Sequence, residues 1–364
     1  MRRLKSIFRD ATVLAVLGLV ATRALAASAA LLGWNNLGMH CMDSSYSEFS
    51  ILPPYNTIEA QLIVGGKLVT APSGFSVTYE AVADPNGSIN TTSTGKGNWY
   101  ANAFDLYGAV LTDADQGLAG CDMPGTGNHP QPMRFEADNV PAPGVSTPVS
   151  WFHAEGIPLT PYDDAGLKNT YPLMRLVARD MLGHIIAQSD IVLPVSDEMD
   201  CKACHAPGSH PDAEPAAGWI TDANVEREYR LNVLAVHDDR EFAAHTALYA
   251  ESLSANGLNA AGLYASARAG TPVLCAACHA SEALGKPSFQ STAGHGAVPS
   301  LTQSMHAFHA EVTDTSGMKL DDSRNRSACY QCHPGSSTRC LRGAMGSAVA
   351  ADGSLAMQCQ SCHG

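Results

Sequence analysis

Four times after residue 200 the chain repeats one five-residue pattern: two cysteines separated by two residues, followed at once by a histidine. The copies are Cys201, Cys204 and His205; Cys275, Cys278 and His279; Cys329, Cys332 and His333; and Cys359, Cys362 and His363. Such a pattern is the attachment signature of a c-type haem. Two thiols add to the porphyrin vinyl groups, and the histidine gives a nitrogen to iron. Paired cysteines alone also make zinc sites or dithiol redox centres. The fifth residue separates these readings. At 14 histidines in 364 residues, four chance placements have odds of about two in a million. The expectation is therefore four haems c, held by the eight cysteines, with His205, His279, His333 and His363 as proximal iron ligands.

Four haems constrain the fold. The stretch from residue 201 to 364 offers only about 41 residues per haem, too few to build an ordinary core around each. The porphyrins must supply the core themselves, wrapped by short helices and irregular chain.

Residues 27–196 read differently. Residues 61–64 and 67–70 flank Gly65 and Gly66 as a two-residue hairpin. Phe75, Val77, Tyr79, Ala81 and Ala83 alternate as one face of a strand, and Pro85, Asn86 and Gly87 turn the chain. Residues 149–152 read as a short strand, and 171–179 and 184–195 flank a turn at 180–183. The expected architecture has two domains, divided near Ser196. A β-sandwich-like N-terminal domain (27–196) precedes a mainly helical or irregular, haem-packed multihaem domain (197–364). Asp113, Asp115 and Gly117 faintly resemble a calcium loop without its closing glutamate, and an ordinary acidic turn is the expectation. No nucleophile elbow or phosphate loop occurs.

Residues 1–26 read as a signal peptide. Arg2, Arg3, Lys5 and Arg9 precede an apolar run at 11–20 and a small-residue cleavage site at 24–26. Cleavage there leaves 17 basic against 34 acidic residues, a net charge of −17 with histidines neutral. The expectation is an exported protein, periplasmic or at the outer surface, with no transmembrane segment in the mature chain. Its acidic field opposes nucleic acid and favours basic partners or cations.

Low-potential electron-transfer haems take two strong ligands. Val225, Tyr229, Val233 and His237 recur every fourth residue on a helix opened by Asp222 or Asn224, which nominates His237 as a distal ligand. Asp238 follows it as a potential hydrogen-bond acceptor on the next helix face. His306 and His309 lie beside a stripe of Leu301, Met305, Phe308 and Val312, and their spacing makes them neighbours that can serve two haems. The fourth distal position is contested. His245, His210, His295, Met345 and Met357 compete, and the cluster Met39, His40, Cys41 and Met42 makes His40 the choice. His129, His153 and His184 read as surface residues. Outside the motifs, Cys41 with Cys121 leaves Cys340 single, while a Cys340 bridge to the first domain would clamp the domains together. Spacing does not choose between them.

The four motifs make the chain resemble a multihaem c-type cytochrome of bacterial respiratory chains. The segments 37–43 (Leu-Gly-Met-His-Cys-Met-Asp) and 329–335 (Cys-Tyr-Gln-Cys-His-Pro-Gly) are similar to parts of large exported multihaem cytochromes of metal- and anaerobically respiring bacteria. The resemblance implies an electron carrier between redox partner proteins, or from a respiratory donor to a periplasmic or extracellular acceptor, rather than an enzyme. The competing expectations are a multihaem reductase with one open iron and a self-associating subunit of a conductive filament.

Overall fold

In this computed structural model the described residues are 28–36, 45–137, 150–195, 201–325, 328, 331–332 and 350–353. The strands, in chain order, are β1 (Ala29–Asn35), β2 (Phe49–Ser50), β3 (Asn56–Val64), β4 (Lys67–Leu68), β5 (Phe75–Val82), β6 (Gln131–Pro132), β7 (Arg134–Ala137), β8 (Ser150–Ile157), β9 (Leu173–Asp180), β10 (Ile185–Val192) and β11 (Val273–Leu274). The α-helices are α1 (Trp99–Tyr107), α2 (Lys202–His205), α3 (Val225–Ala244), α4 (Thr246–Ala255), α5 (Leu263–Arg268) and α6 (Leu301–His309).

Two antiparallel sheets carry the first half of the chain. One has the order β1-β3-β8-β7, with β4 also paired to β3, and the other runs β10-β9-β5-β6. The Gly65–Gly66 turn closes β3 on β4 with Ile63 opposite Leu68. Both glycines have positive φ, 59° and 75°, as such a two-residue turn requires. Alternation on β5 puts Val77, Tyr79 and Ala81 inward, and Ile58, Ala60 and Leu62 do the same from β3. Both sets share one hydrophobic core with Phe152, Leu176 and Ile191. Helix α1, which the sequence reading passed over, adds Trp99, Ala103 and Leu106 to that core. It ends on Gly108 at φ 67°, whose N–H bonds the Phe104 carbonyl at 2.8 Å. Asp115 is buried in its turn and accepts hydrogen bonds from Thr92 Oγ1 (2.7 Å) and Ser93 N (2.6 Å), so this acidic group ties two loops.

The sheets pack closely at Gly33. A Cβ there would stand 2.2 Å from Leu176 Cδ1. Gly33→Ala is expected to lower stability by about 1–3 kcal/mol, the cost of overpacking, measurable as a lower urea midpoint. An unchanged midpoint would show that Leu176 repacks freely.

The second hydrophobic cluster joins Leu231 and Leu234 of α3 with Tyr249 and Leu253 of α4, Leu263 and Ala267 of α5, and Val273. Phe49 from the front of the chain is part of it. There β2 pairs in parallel with β11, Phe49 opposite Val273 and Ser50 opposite Leu274. Val273 N also donates to the Glu48 carbonyl at 2.9 Å, and the buried Glu48 carboxylate meets Arg227 Nε at 3.1 Å. Tyr55 donates its hydroxyl to the Ala283 carbonyl. Residues 48–55 thus pack across the position near Ser196 where composition changes.

Asn224 caps α3 by accepting from Glu226 N at 3.0 Å. The expected stripe holds in part: Tyr229 is buried and Val233 packs against the second cluster, while Val225 is 61% exposed. A spacing of four residues drifts about 40° per step around a helix, so Val225 and His237 do not share one face. Leu231 and Leu234, with the polar Asn232 and Asp238, also line the buried side. Asn232 earns its place by spanning to residue 220: its Oδ1 accepts from Ile220 N (2.9 Å) and its Nδ2 donates to the Ile220 carbonyl (3.1 Å). Among the described residues, no helix is long and apolar enough to cross a membrane.

Candidate haem sites

The first two cysteine–histidine motifs fold into the same local turn. In the first, Cys204 N and His205 N both donate to the Cys201 carbonyl, at 3.2 and 2.9 Å. In the second, Cys278 N and His279 N donate to the Cys275 carbonyl, at 3.3 and 3.1 Å. One helical turn therefore sets the two cysteines of each motif side by side and the histidine one step further. Cys201, Cys204, Cys275 and Cys278 are half-buried. Among the described residues no three of His, Cys, Asp and Glu gather to hold a metal ion, so these two cysteine pairs do not meet in one four-cysteine site. The β2–β11 pair lies directly before Cys275 and fixes where the second motif begins.

His279 is oriented by a backbone carbonyl. Its Nδ1 lies 2.9 Å from the Pro299 oxygen and 3.1 Å from Ser304 Oγ. A proton on Nδ1, donated to the carbonyl, leaves Nε2 as a lone-pair donor, the form in which imidazole binds iron. Facing it is His237. The two rings have centroids 6.3 Å apart and planes at 88°. At metal–imidazole bonds of about 2.0–2.1 Å, that spacing would let His237 and His279 hold one iron between them.

His237 Nδ1 is buried with no hydrogen-bond partner, and so is His205 Nδ1. Burial, above all, pushes His205 down to about 4, and the charges of His309, Arg240 and His210 add to it. Burial likewise pushes His237 down. Both are neutral near pH 7, as ligation requires. His306 and His309 place Nδ1 2.8 Å from the Thr302 carbonyl and 2.7 Å from the Met305 carbonyl, four residues back on their own helix. That bond assigns the proton to Nδ1 in each. α6 is opened by a capping box: Gln303 N donates to Ser300 Oγ (3.3 Å), and Ser300 N to Gln303 Oε1 (3.2 Å). The expected stripe on α6 is not buried, and Phe308 is 45% exposed.

The residues present fit haem c: two cysteines and a histidine on one turn in each described motif, with His205 and His237 neutral. Other histidines are engaged elsewhere. His210 has Nε2 3.0 Å from the Thr313 carbonyl and Nδ1 accepting from Asp212 N at 3.2 Å. His245 meets Glu241 at 3.0 Å, and His295 meets Glu251 at 3.2 Å. His153 and His184 pair with Glu136 and Asp180, at 3.8 and 3.1 Å. Asp238 turns away from His237, accepting instead from the Tyr249 hydroxyl, Leu263 N (2.8 Å) and Tyr264 N (2.9 Å). Cys121 is a buried free thiol. Its expected partner Cys41 lies outside the described residues, as do His40, Cys329, His333, Cys340, Met345, Met357, Cys359, Cys362 and His363.

Sequence reasoning missed the Pro299 carbonyl behind His279, since a backbone acceptor leaves no side-chain signal. It also missed an ion cluster at the first motif. Lys202 Nζ meets Glu226 Oε1 at 2.7 Å, and the buried Arg230 meets Glu226 Oε2 at 3.1 Å. Burial pushes the Glu226 carboxyl up, but Lys202 and Arg230 outweigh it and hold the group at about 2. The folded-state value lies below the ordinary carboxylate value, so the contribution is present above about pH 4.5 and is lost as pH falls toward 2. Glu226→Gln is expected to cost about 1–3 kcal/mol at pH 7, discounted for partial exposure. The deficit should shrink in urea titrations run at falling pH; a deficit constant down to pH 2 would refute the cluster's role.

Such cysteine–histidine turns are the arrangement a c-type haem requires. Residues 274–364 match the family model described as cytochrome c554 and c-prime. The match takes in three of the four motifs together with His306 and His309, and supports a c-type cytochrome that carries haem c in a haem-based electron-transfer role. A search of curated proteins found no match to the chain.

Proposed function

We propose that the protein is a tetrahaem electron carrier, exported to the periplasm or outer surface, that passes electrons from a respiratory donor to a protein or extracellular acceptor. Haem c, when bound, supplies a one-electron ferrous–ferric couple. The observation that carries the proposal is the His237–His279 pair, with centroids 6.3 Å apart. In this reading Cys275 and Cys278 hold one haem between those two imidazoles. Cys201 and Cys204 hold another, with His205 proximal and His309 distal. His306 serves a haem of the third or fourth motif, held by Cys329 and Cys332 with His333 or by Cys359 and Cys362 with His363, and His40 serves the remaining one. The sheet-bearing half forms one domain and the haem-bearing half a second. Backbone carbonyls orient His279, His306 and His309, and burial keeps His205 and His237 neutral.

The test is haem stoichiometry by pyridine haemochromogen assay, together with ligand binding. Four haems per chain and no spectral change on adding nitrite or cyanide are expected. A haem that binds either anion would replace the carrier reading with a reductase.

A further inference from the structure

One charged side chain outside the ligand pairs reaches toward two haem sites. Arg240 follows His237 by three residues on α3, where such residues are neighbours at about 5–6 Å between Cβ atoms. Its guanidinium lies over the Phe308 ring of α6, 5.1 Å from the centroid. Phe308 directly precedes His309. Arg240 Nη2 also donates to the Asp212 carbonyl at 3.2 Å, in the 3-10 turn that follows the first motif. One side chain thus bridges α3, α6 and the segment after His205.

The neighbouring carboxylates are otherwise occupied. Asp239 accepts from Ala216 N at 2.6 Å, and Asp238 is taken by Tyr249 and the start of α5. Arg240 is solvent-exposed and its main-chain contact uses one edge of the fork. A guanidinium with open donors suits a bidentate carboxylate, and haem carries two carboxylates.

We propose that Arg240 is a cation shared by the haems of the His205 and His279 sites, binding their carboxylates and raising the potential of both. The inference rests on the haem reading above. Its physical basis is that reduction lowers the charge of each iron site by one, so a fixed cation favours the reduced form.

The experiment is an EPR-monitored potentiometric titration of the full haem-loaded protein. Arg240→Gln is expected to move two haem transitions to lower potential, each by roughly a tenfold change in the ferrous–ferric ratio, about 59 mV for a one-electron couple. Haem content stays at the parent value. Arg240→Lys, which keeps the charge, holds both transitions close to the parent. Arg268→Gln, an exposed arginine at the end of α5, moves none. The proposal is overturned if Arg240→Gln moves no transition or only one, if Arg240→Lys falls as far as Arg240→Gln, or if haem is lost from the glutamine variant. A parent protein without covalent haem would sink the haem reading instead.

Discussion

His237→Ala is expected to turn one low-spin haem into a high-spin haem that binds cyanide, with covalent haem content unchanged. Its ring lies 6.3 Å from that of His279, centre to centre, with planes at 88°. Its buried Nδ1 lacks a protein partner, and burial keeps the ring neutral. Truncation removes the ligand without touching the Cys275 turn or the Pro299 carbonyl that orients His279. Tyr249 packs on His237 at 5.5 Å, so Tyr249→Phe serves as the packing control and should stay fully low-spin. An unchanged spectrum in His237→Ala would refute the pairing.

Asp238→Ala is expected to produce the largest loss of stability, about 3 kcal/mol or more, because a buried acceptor serving several donors is removed. Asp238 takes hydrogen bonds from Tyr249 of α4 and from Leu263 N and Tyr264 N at the start of α5. It therefore locks three helices around the segment that leads to Val273 and Cys275. Burial, above all, raises its carboxyl above the ordinary range, against the pull of those hydrogen bonds. A raised folded-state value means the contribution is full below the unfolded value and fades as pH climbs through the folded one. The gap between the parent and Asp238→Asn should accordingly narrow with rising pH in urea titrations followed by the haem absorbance. A gap that widens would contradict the assignment.

The legible parts of the chain were the local ones. Gly65 and Gly66 announced their hairpin, and alternation announced β5. Contacts between distant residues were not legible. The β2–β11 pair joins residues 49 and 273, and neither two-residue strand has a periodicity to detect. His237 stood out as a helical histidine, but its facing partner followed from the fold of α3 against the second motif. The stripe that drew attention to it erred at Val225, and the buried face also carries Asn232 and Asp238, polar residues that break an apolar pattern. The Pro299 carbonyl and the position of Arg240 over Phe308 arise only from packing.

The most direct measurement is the low-temperature EPR spectrum of the oxidised protein with spin quantitation per chain. The account predicts four low-spin ferric haems, one of them strongly anisotropic, as near-perpendicular imidazole planes produce. Fewer than four haem spins, or a high-spin component in the parent protein, would contradict it.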